Sequence, residues 1–250
     1  MSVLLIDSDI FAFQSASRNQ SVGAFGTYTY DEEAIDLVDA RIAAIAEELE
    51  ATRVIMCLTD PDDNFRFDIL PTYKSTRDYS KRPELLSMVK NHLATEYESY
   101  IRPRLEADDV MGILATHPTL IKGDKIIVSE DKDMRTIPCH LYNPGRPELK
   151  VIEITRQQAH AFHMWQTICG DPTDGFKGAV GIGKSSMFAI EVLEVEPEEM
   201  WDIVLDAYAM AKLTEDDAIV QACMAKILTY EFYDFKNKEA LHWSPLALHY

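Results

Sequence analysis

Short apolar runs alternate with segments of helical spacing along the first two thirds of the chain. Val3-Leu4-Leu5-Ile6, Val54-Ile55-Met56-Cys57-Leu58 and Lys125-Ile126-Ile127-Val128 read as buried strands, ending on Asp7, near Asp60 and before Asp131. Between the first two, Ile35, Val38, Ile42, Ile45 and Leu49 recur at helical intervals and predict one amphipathic helix. A polar stretch bearing Arg and Lys over 62–84 follows the second strand, then an amphipathic segment to about 98 and a helix from near Leu105. Apolar strands separated by helices predict an α/β fold whose mostly parallel sheet is covered on both faces. Beyond 155 the pattern is helical, with helices predicted over 155–169, 184–194, 197–211 and 215–236. The last starts on a capping box, Thr214 with Asp217 in place of Glu. The Gly-dense stretch 175–183 interrupts this pattern. Residues 1–169 are therefore expected to form the α/β core, and 170–250 a helical C-terminal part of the same compact unit.

Composition narrows the class. At 250 residues and 47% hydrophobic, the chain can bury a sizeable core, as one domain or two small ones. Its 42 Asp and Glu exceed its 24 Lys and Arg, leaving −18, so no broad positive field draws it to nucleic acid nonspecifically. Apolar runs fall short of the roughly 18 residues a membrane span needs. Met1-Ser2-Val3 opens into a strand rather than a leader. Four scattered cysteines (Cys57, Cys139, Cys169, Cys223) without a Cys-x-x-Cys pair read as reduced thiols of a cytoplasmic protein, not as zinc ligands.

The placement of the acids carries the chemistry. Asp7, Asp60 and Asp131 each follow the C-terminal end of a predicted parallel strand, the edge at which open α/β sheets bind ligands. Glu106-Ala107-Asp108-Asp109 opens a helix, Asp131-Lys132-Asp133 follows the third strand, and Asp171 and Asp174 flank Pro172-Thr173. Each cluster has a plain structural alternative: helix-dipole pairing, an Asp turn, or an N-cap followed by proline. Together they make nine carboxylates (Asp7, Asp60, Glu106, Asp108, Asp109, Asp131, Asp133, Asp171, Asp174) that repel one another unless cations neutralise them. Oxygen ligands without His or Cys suit Mg²⁺ or Mn²⁺. Nine exceed what one octahedral ion that keeps its waters can use, which favours two ions.

Residues 64–104 run the other way, with eight bases (Arg66, Lys74, Arg77, Lys81, Arg82, Lys90, Arg102, Arg104) against five acids. A solvated charged face is the plain alternative. Beside a carboxylate cluster, Lys74 and Arg77 on one helical face look like clamps for phosphate charge, with Tyr73 as a stacking surface. Further on, Gly178, Gly181 and Gly183 precede a predicted helix, where glycines leave N–H groups open to a phosphate and Lys184 adds charge. A helix–hairpin–helix gripping a DNA backbone needs that arrangement; a flexible loop is the alternative.

These motifs resemble the flap-endonuclease superfamily of 5′-nucleases, and within it the short 5′→3′ exonucleases of podophages. The resemblance runs from Val3 to about Trp243. It rests on Leu4-Leu5-Ile6-Asp7, Phe65-Arg66, Tyr73-Lys74-x-x-Arg77, Leu105-Glu106-Ala107-Asp108-Asp109, Ser129-Glu130-Asp131-Lys132-Asp133 and Gly170-Asp171-x-x-Asp174-Gly175. Glu199–Asp202, Thr214–Asp217 and Met224–Leu228 narrow it to the phage branch.

The resemblance implies a PIN-like catalytic core with a short arch over 64–104 and a helix–three-turn–helix over 175–186. It implies that Asp7, Asp60, Glu106 and Asp108 surround a first divalent cation, Mg²⁺ or Mn²⁺, and that Asp109, Asp131, Asp133, Asp171 and Asp174 serve a second. Lys74 would contact the scissile phosphate with Arg77 beside it, and Arg66, Tyr73, Lys81 and Arg82 would meet DNA near the arch. Lys177, Gly178, Gly181, Gly183, Lys184 and Ser185 would hold the duplex, with a K⁺ ion on backbone carbonyls. The implied activity is metal-dependent 5′→3′ hydrolysis at duplex or flap 5′ ends, with the RNA of RNA–DNA hybrids as a second substrate. The implied setting is a monomer in the host-cell cytoplasm, acting in phage replication, recombination or host-DNA breakdown. Two departures matter. The arch is shorter than in larger members, so an open or flexible one is expected. Ser185 stands where the family usually places lysine, so duplex grip is expected to lean on backbone amides.

Two other readings stay open on the residues. Ile6-Asp7-Ser8-Asp9 with Gly170-Asp171-x-x-Asp174 fits a haloacid-dehalogenase-type phosphatase, but leaves Glu106, Asp108, Asp109 and Tyr73-Lys74-x-x-Arg77 without work. A non-catalytic DNA-binding protein would carry its nine acids at a cost in stability. His160 and His163, three residues apart, are expected to be surface or core histidines, and Trp165 and Trp201 core anchors.

Overall fold

The structure, a computed structural model, describes residues 1–23 and 26–247. The chain begins with β1 (Ser2–Asp7) and α1 (Ser8–Arg18), then an antiparallel ribbon of β2 (Gln20–Gly23) and β3 (Gly26–Thr29). Next come α2 (Asp31–Glu48), β4 (Ala51–Leu58), the short α3 (Arg66–Ile69), α4 (Leu86–Glu96) and β5 (Ser99–Ile101). α5 (Ala107–Thr116), β6 (Asp124–Val128), β7 (Cys139–Tyr142) and β8 (Val151–Ile154) complete the α/β part. The helices α6 (Arg156–Cys169), α7 (Met187–Glu191), α8 (Pro197–Met210) and α9 (Glu215–Ala225) follow, with a last ribbon of β9 (Tyr233–Asp234) and β10 (Glu239–Ala240).

Six strands form one sheet in the order β5-β4-β1-β6-β7-β8, parallel throughout except for β8. β1 lies between β4 and β6, with Asp7 beside Cys57 and Ile6 beside Val128. The chain moves outward from β1 first to one side and then to the other. The loops at its C-terminal end therefore diverge and leave a crevice, the usual ligand site of such sheets.

Both sheet faces are dry, which is why the strands read as continuous apolar runs. Leu4 and Ile6 join a buried cluster with Phe11, Val38, Val89 and Leu93 from α1, α2 and α4. Val3 and Leu5 join the opposite cluster with Val110, Met111, Ile113 and Leu114 of α5. α6 serves two cores. Ala159 belongs to the α5 side, whereas Met164 and Ile168 pack among Met200, Trp201 and Val204 of α8 and Ala218 and Ala222 of α9. Trp201 is buried with its ring centroid 4.9 Å from that of Trp243, whereas Trp165 is half-buried and stacks on Phe162 at 5.3 Å.

Two helices stop short of their periodicity. The one expected over 184–194 contracts to α7, because the Ile182 and Ser186 amides close turns onto the Ala179 and Gly183 carbonyls first. The one expected over 215–236 starts on its Thr214–Asp217 capping box but ends at Ala225. There, tertiary partners take over from the helical ladder: Arg66 donates to the Lys226 carbonyl at 2.9 Å, and Asp109 accepts the Leu228 N–H at 3.1 Å. His163 is buried with Nε2 2.8 Å from the Ala222 carbonyl, and burial, helped by Lys226, pushes His160 down to about 4. All four cysteines are free. No helix among the described residues is long and apolar enough to cross a membrane.

Candidate active site

The crevice at the end of β1 is a cleft of about 630 Å³ with acids on its floor and bases on its wall. Asp7, Asp9, Asp60, Glu106, Asp108 and Asp131 line it, facing Lys74, Arg77, Arg82 and Lys90. Asp7 closes β1 and caps α1, accepting the Ile10 N–H at 3.2 Å on Oδ1. Ser129 donates its hydroxyl to Asp7 Oδ2 at 2.7 Å and accepts the Asp131 N–H at 3.0 Å, so one serine ties the Asp7 carboxylate to the Asp131 backbone. Asp60 is held by the Arg104 N–H at 2.6 Å. Asp108 lies in the first turn of α5.

Burial, with Asp9 and Asp131 adding repulsion, pushes Asp7 up to about 7 despite the Ser129 hydrogen bond. Asp108 is raised well above the ordinary carboxylate range by burial and by the negative charges of Asp7, Asp131 and Glu106. Acids kept this close, with hard oxygen donors and, among the described residues, no base paired with Asp7 or Asp108, fit a divalent cation. Among the described residues no group of three His, Cys, Asp or Glu converges on one ligation point as it stands.

Glu106 differs. Burial would raise it, but Lys74 and Arg66 outweigh burial and hold it at about 2. Lys74 pairs with its Oε1, Arg66 reaches Oε2 at 3.1 Å and the Tyr73 hydroxyl donates to Oε2 at 2.7 Å. The same base-bearing turn is tied to Asp174: Arg77 pairs with it at 2.7 Å, and the Lys74 N–H donates to its carbonyl at 2.9 Å. A separate pair lies beyond Asp131. Asp133 and Asp171 meet on the Lys132 ammonium, 2.7 Å from each.

Residues 2–158 match the family described as 5′–3′ exonuclease, N-terminal resolvase-like domain. The chain belongs to this family. It is 31% identical to the exodeoxyribonuclease of Enterobacteria phage T3, in a match covering 77% of this chain and 73% of that protein. It is equally identical to the exonuclease of Escherichia phage T7, with 77% and 74% covered. It superposes on a phage T5 flap endonuclease in a pseudo-enzyme–product complex with DNA and metal ions (TM-score 0.60, 17% identity, 90% of this chain and 93% of that chain). A phage T5 5′-exonuclease with bound zinc superposes similarly (TM-score 0.56, 16% identity, 91% and 99% covered). These two likenesses show the fold. Family membership sets aside the haloacid-dehalogenase-type reading of Asp7.

Within this family framework, several expected site residues stand elsewhere than their motifs imply. Asp109 is 0% exposed and turned into the core, bound to both Arg66 guanidinium nitrogens and to the Glu106 and Leu228 amides. Its lone pairs are committed, so the expectation of a metal ligand there is corrected, and so is that of Arg66, 3% exposed, as a DNA contact. Tyr73 is likewise buried against Phe176 and Met224, which removes it as an open stacking surface. Lys81 and Arg82 are exposed near the cleft, Lys81 pairing with Asp78 at 3.4 Å.

In the 175–186 segment Gly178 is buried, and its N–H donates to Gln221 Oε1 at 2.8 Å, so that amide is not open to phosphate. Gly181, Gly183, Lys184 and Ser185 are exposed, and their amides have no hydrogen-bond partner among the described residues. Lys177 is exposed as well, and Lys184 lies over the Trp165 ring at 5.5 Å. Sequence reasoning overlooked Ser129, Lys132 and Gln166, whose Nε2 donates to Asp133 Oδ1 at 2.7 Å. Lys132 carried a signal, sitting between two acids of one motif; Gln166 on α6 carried none.

Proposed function

We propose that the protein is a divalent-metal-dependent 5′→3′ exonuclease, with flap-endonuclease capability, that hydrolyses phosphodiesters at DNA 5′ ends. The observation that carries this is the single cleft in which Asp7, Asp60, Asp108 and Asp131 face Lys74 and Arg77. Phosphate is drawn to that wall by the two bases, while the acids opposite accept only a cation. Asp7, Asp60, Asp108 and Glu106 would hold a first ion, and Asp131, Asp133, Asp171 and Asp174 a second, directly or through water. Mg²⁺ or Mn²⁺ there would supply Lewis-acid activation of water and charge neutralisation at the leaving oxygen.

The chain's own residues do the positioning. Ser129 keeps the Asp7 carboxylate turned to the cleft, and Tyr73 keeps Glu106 beside Lys74. Lys74 is 14% exposed at the cleft wall, close enough to place a charge-assisted hydrogen bond on a phosphate oxygen and so stabilise charge as it develops. Arg77, more open at 44%, steadies the flanking charge. The unpaired amides of Gly181, Gly183, Lys184 and Ser185 would grip a duplex backbone, with K⁺ on nearby carbonyls. RNA in an RNA–DNA hybrid is the proposed second substrate, monomer the proposed state, and phage DNA replication or host-DNA breakdown in the host cytoplasm the proposed setting.

The test is cleavage of 5′-labelled and 3′-labelled duplex DNA, with and without Mg²⁺, by the wild type and Asp131→Ala. Mg²⁺-dependent loss of nucleotides from the 5′ end, abolished in the variant, is expected. Cutting without Mg²⁺, or an undiminished rate in the variant, would overturn the reading.

A further inference from the structure

Asp133 and Asp171 reach one point from different elements, the turn after β6 and the turn after α6, and a lysine occupies it. Lys132 Nζ is 2.7 Å from Asp133 Oδ1 and 2.7 Å from Asp171 Oδ2. Each carboxylate is otherwise braced from the protein side: Gln166 donates to Asp133 Oδ1 at 2.7 Å, and the Thr173 N–H donates to Asp171 Oδ1 at 2.8 Å. The Lys132 side chain is 49% exposed, so it reaches this point from the solvent side. A lysine ammonium is a compact point charge on a flexible stem. A divalent ion ligated by the same oxygens would sit within about 2.0–2.1 Å of them. The two cations cannot share the place.

We propose that Lys132 is the resident cation of the Asp133–Asp171 pair: its ammonium holds the two carboxylates in ligating position and must leave before a divalent ion can bind them. This rests on the assignment of Asp133 and Asp171 to the second ion. At the first site Lys74 and Arg66 pair with Glu106 alone, and among the described residues no base pairs with Asp7, Asp60 or Asp108, so only the second ion has a bridging cation to displace and its site fills at the higher metal concentration. The displaced side chain has room, because Lys132 lines clefts of about 830 and 520 Å³ on either side of Asp131. Once displaced, it adds a positive charge at the mouth of the cleft only when the second ion is in place.

The experiment is a Mn²⁺ titration of the full chain followed by electron paramagnetic resonance of the free ion. Wild type, Asp133→Asn, Lys132→Met and Lys132→Gln are compared, with thermal unfolding of each metal-free protein. Two classes of site are expected in the wild type, and Asp133→Asn should remove the weaker. Both Lys132 variants should tighten that weaker class by about fivefold, leave the stronger one unchanged and lower the metal-free Tm. If Asp133→Asn removes the weaker class but neither Lys132 variant tightens it, the counterion role is wrong and the second-ion assignment survives. If Asp133→Asn leaves both classes intact, the second-ion assignment fails and the proposal falls with it.

Discussion

Arg66 lays its two terminal nitrogens on the two carboxylate oxygens of Asp109, at 2.7 and 2.9 Å, with both residues buried. The pair ties three segments together. Arg66 sits at the start of α3 and reaches the carbonyls at the exit of α9. Asp109 takes the Glu106 amide at the head of α5 and the Leu228 amide beyond α9. The base of the arch, the acid-bearing end of α5 and the C-terminal chain are thus fixed by one ion pair rather than by apolar packing alone.

Breaking that pair leaves an uncompensated buried charge, which typically costs about 3–5 kcal/mol. Asp109→Ala is therefore expected to lower stability by that order in chemical denaturation, while the protein that remains folded binds as many Mn²⁺ ions as the wild type. A stable Asp109→Ala protein lacking one metal site would restore this residue as a ligand.

Lys74 stands between the arch and the acids, so its removal should separate binding from chemistry. Lys74→Met is expected to lower kcat by about 10²–10³-fold, as removal of one charge-stabilising donor does. Duplex affinity, measured by fluorescence anisotropy in Ca²⁺, should stay within about threefold, since a single contact among many carries little of the phosphate-backbone affinity. Equal loss of affinity and rate would demote Lys74 to a general DNA contact.

Asp7 and Glu106 pull pH dependence in opposite directions. Asp7 at about 7 lies above the ordinary 3.8, so the folded protein keeps a proton that the unfolded chain releases, and stability falls as pH rises from about 4 to about 7. Glu106, held at about 2 against 4.5, contributes stability above 4.5 that disappears as pH falls towards 2. The metal-free Tm should therefore peak at about pH 4, where the gain from Glu106 and the loss from Asp7 balance. It should decline towards pH 7.5, and saturating Mg²⁺ should remove the decline. Asp108→Asn should raise the metal-free Tm at pH 7.5 while abolishing cleavage. A metal-free Tm that climbs between pH 5 and 7.5 would falsify this account.

Two glycines in the 175–186 segment are present for different reasons. Gly178 has φ +61 and lies against the Gly170 backbone, so a Cβ there would overlap main chain. Gly183 has open space around it. Gly178→Ala is expected to lower Tm and duplex affinity together. Gly183→Ala should leave Tm unchanged yet weaken duplex binding, because only an approaching DNA backbone would meet the new methyl group. Unchanged affinity in Gly183→Ala would remove this turn from the interface.

The amino-acid sequence by itself determined the three central strands of the sheet, β4, β1 and β6, and where their acids lie. A buried parallel strand must be apolar on both faces, so Val3–Ile6, Val54–Leu58 and Lys125–Val128 stand out from any polar context, and an acid just past each is legible without coordinates. What only the tertiary structure decided is which acids face the cleft. Asp108 and Asp109 are neighbours in sequence, yet successive residues of a helix point about 100° apart. One therefore borders the cleft while the other is turned to Arg66. The early end of α9 was hidden for a related reason: its apolar periodicity continues, but Arg66 and Asp109, more than a hundred positions away, take the backbone groups that a longer helix would have paired. The Lys132 bridge likewise joins residues that only the folded turns after β6 and α6 bring within 2.7 Å.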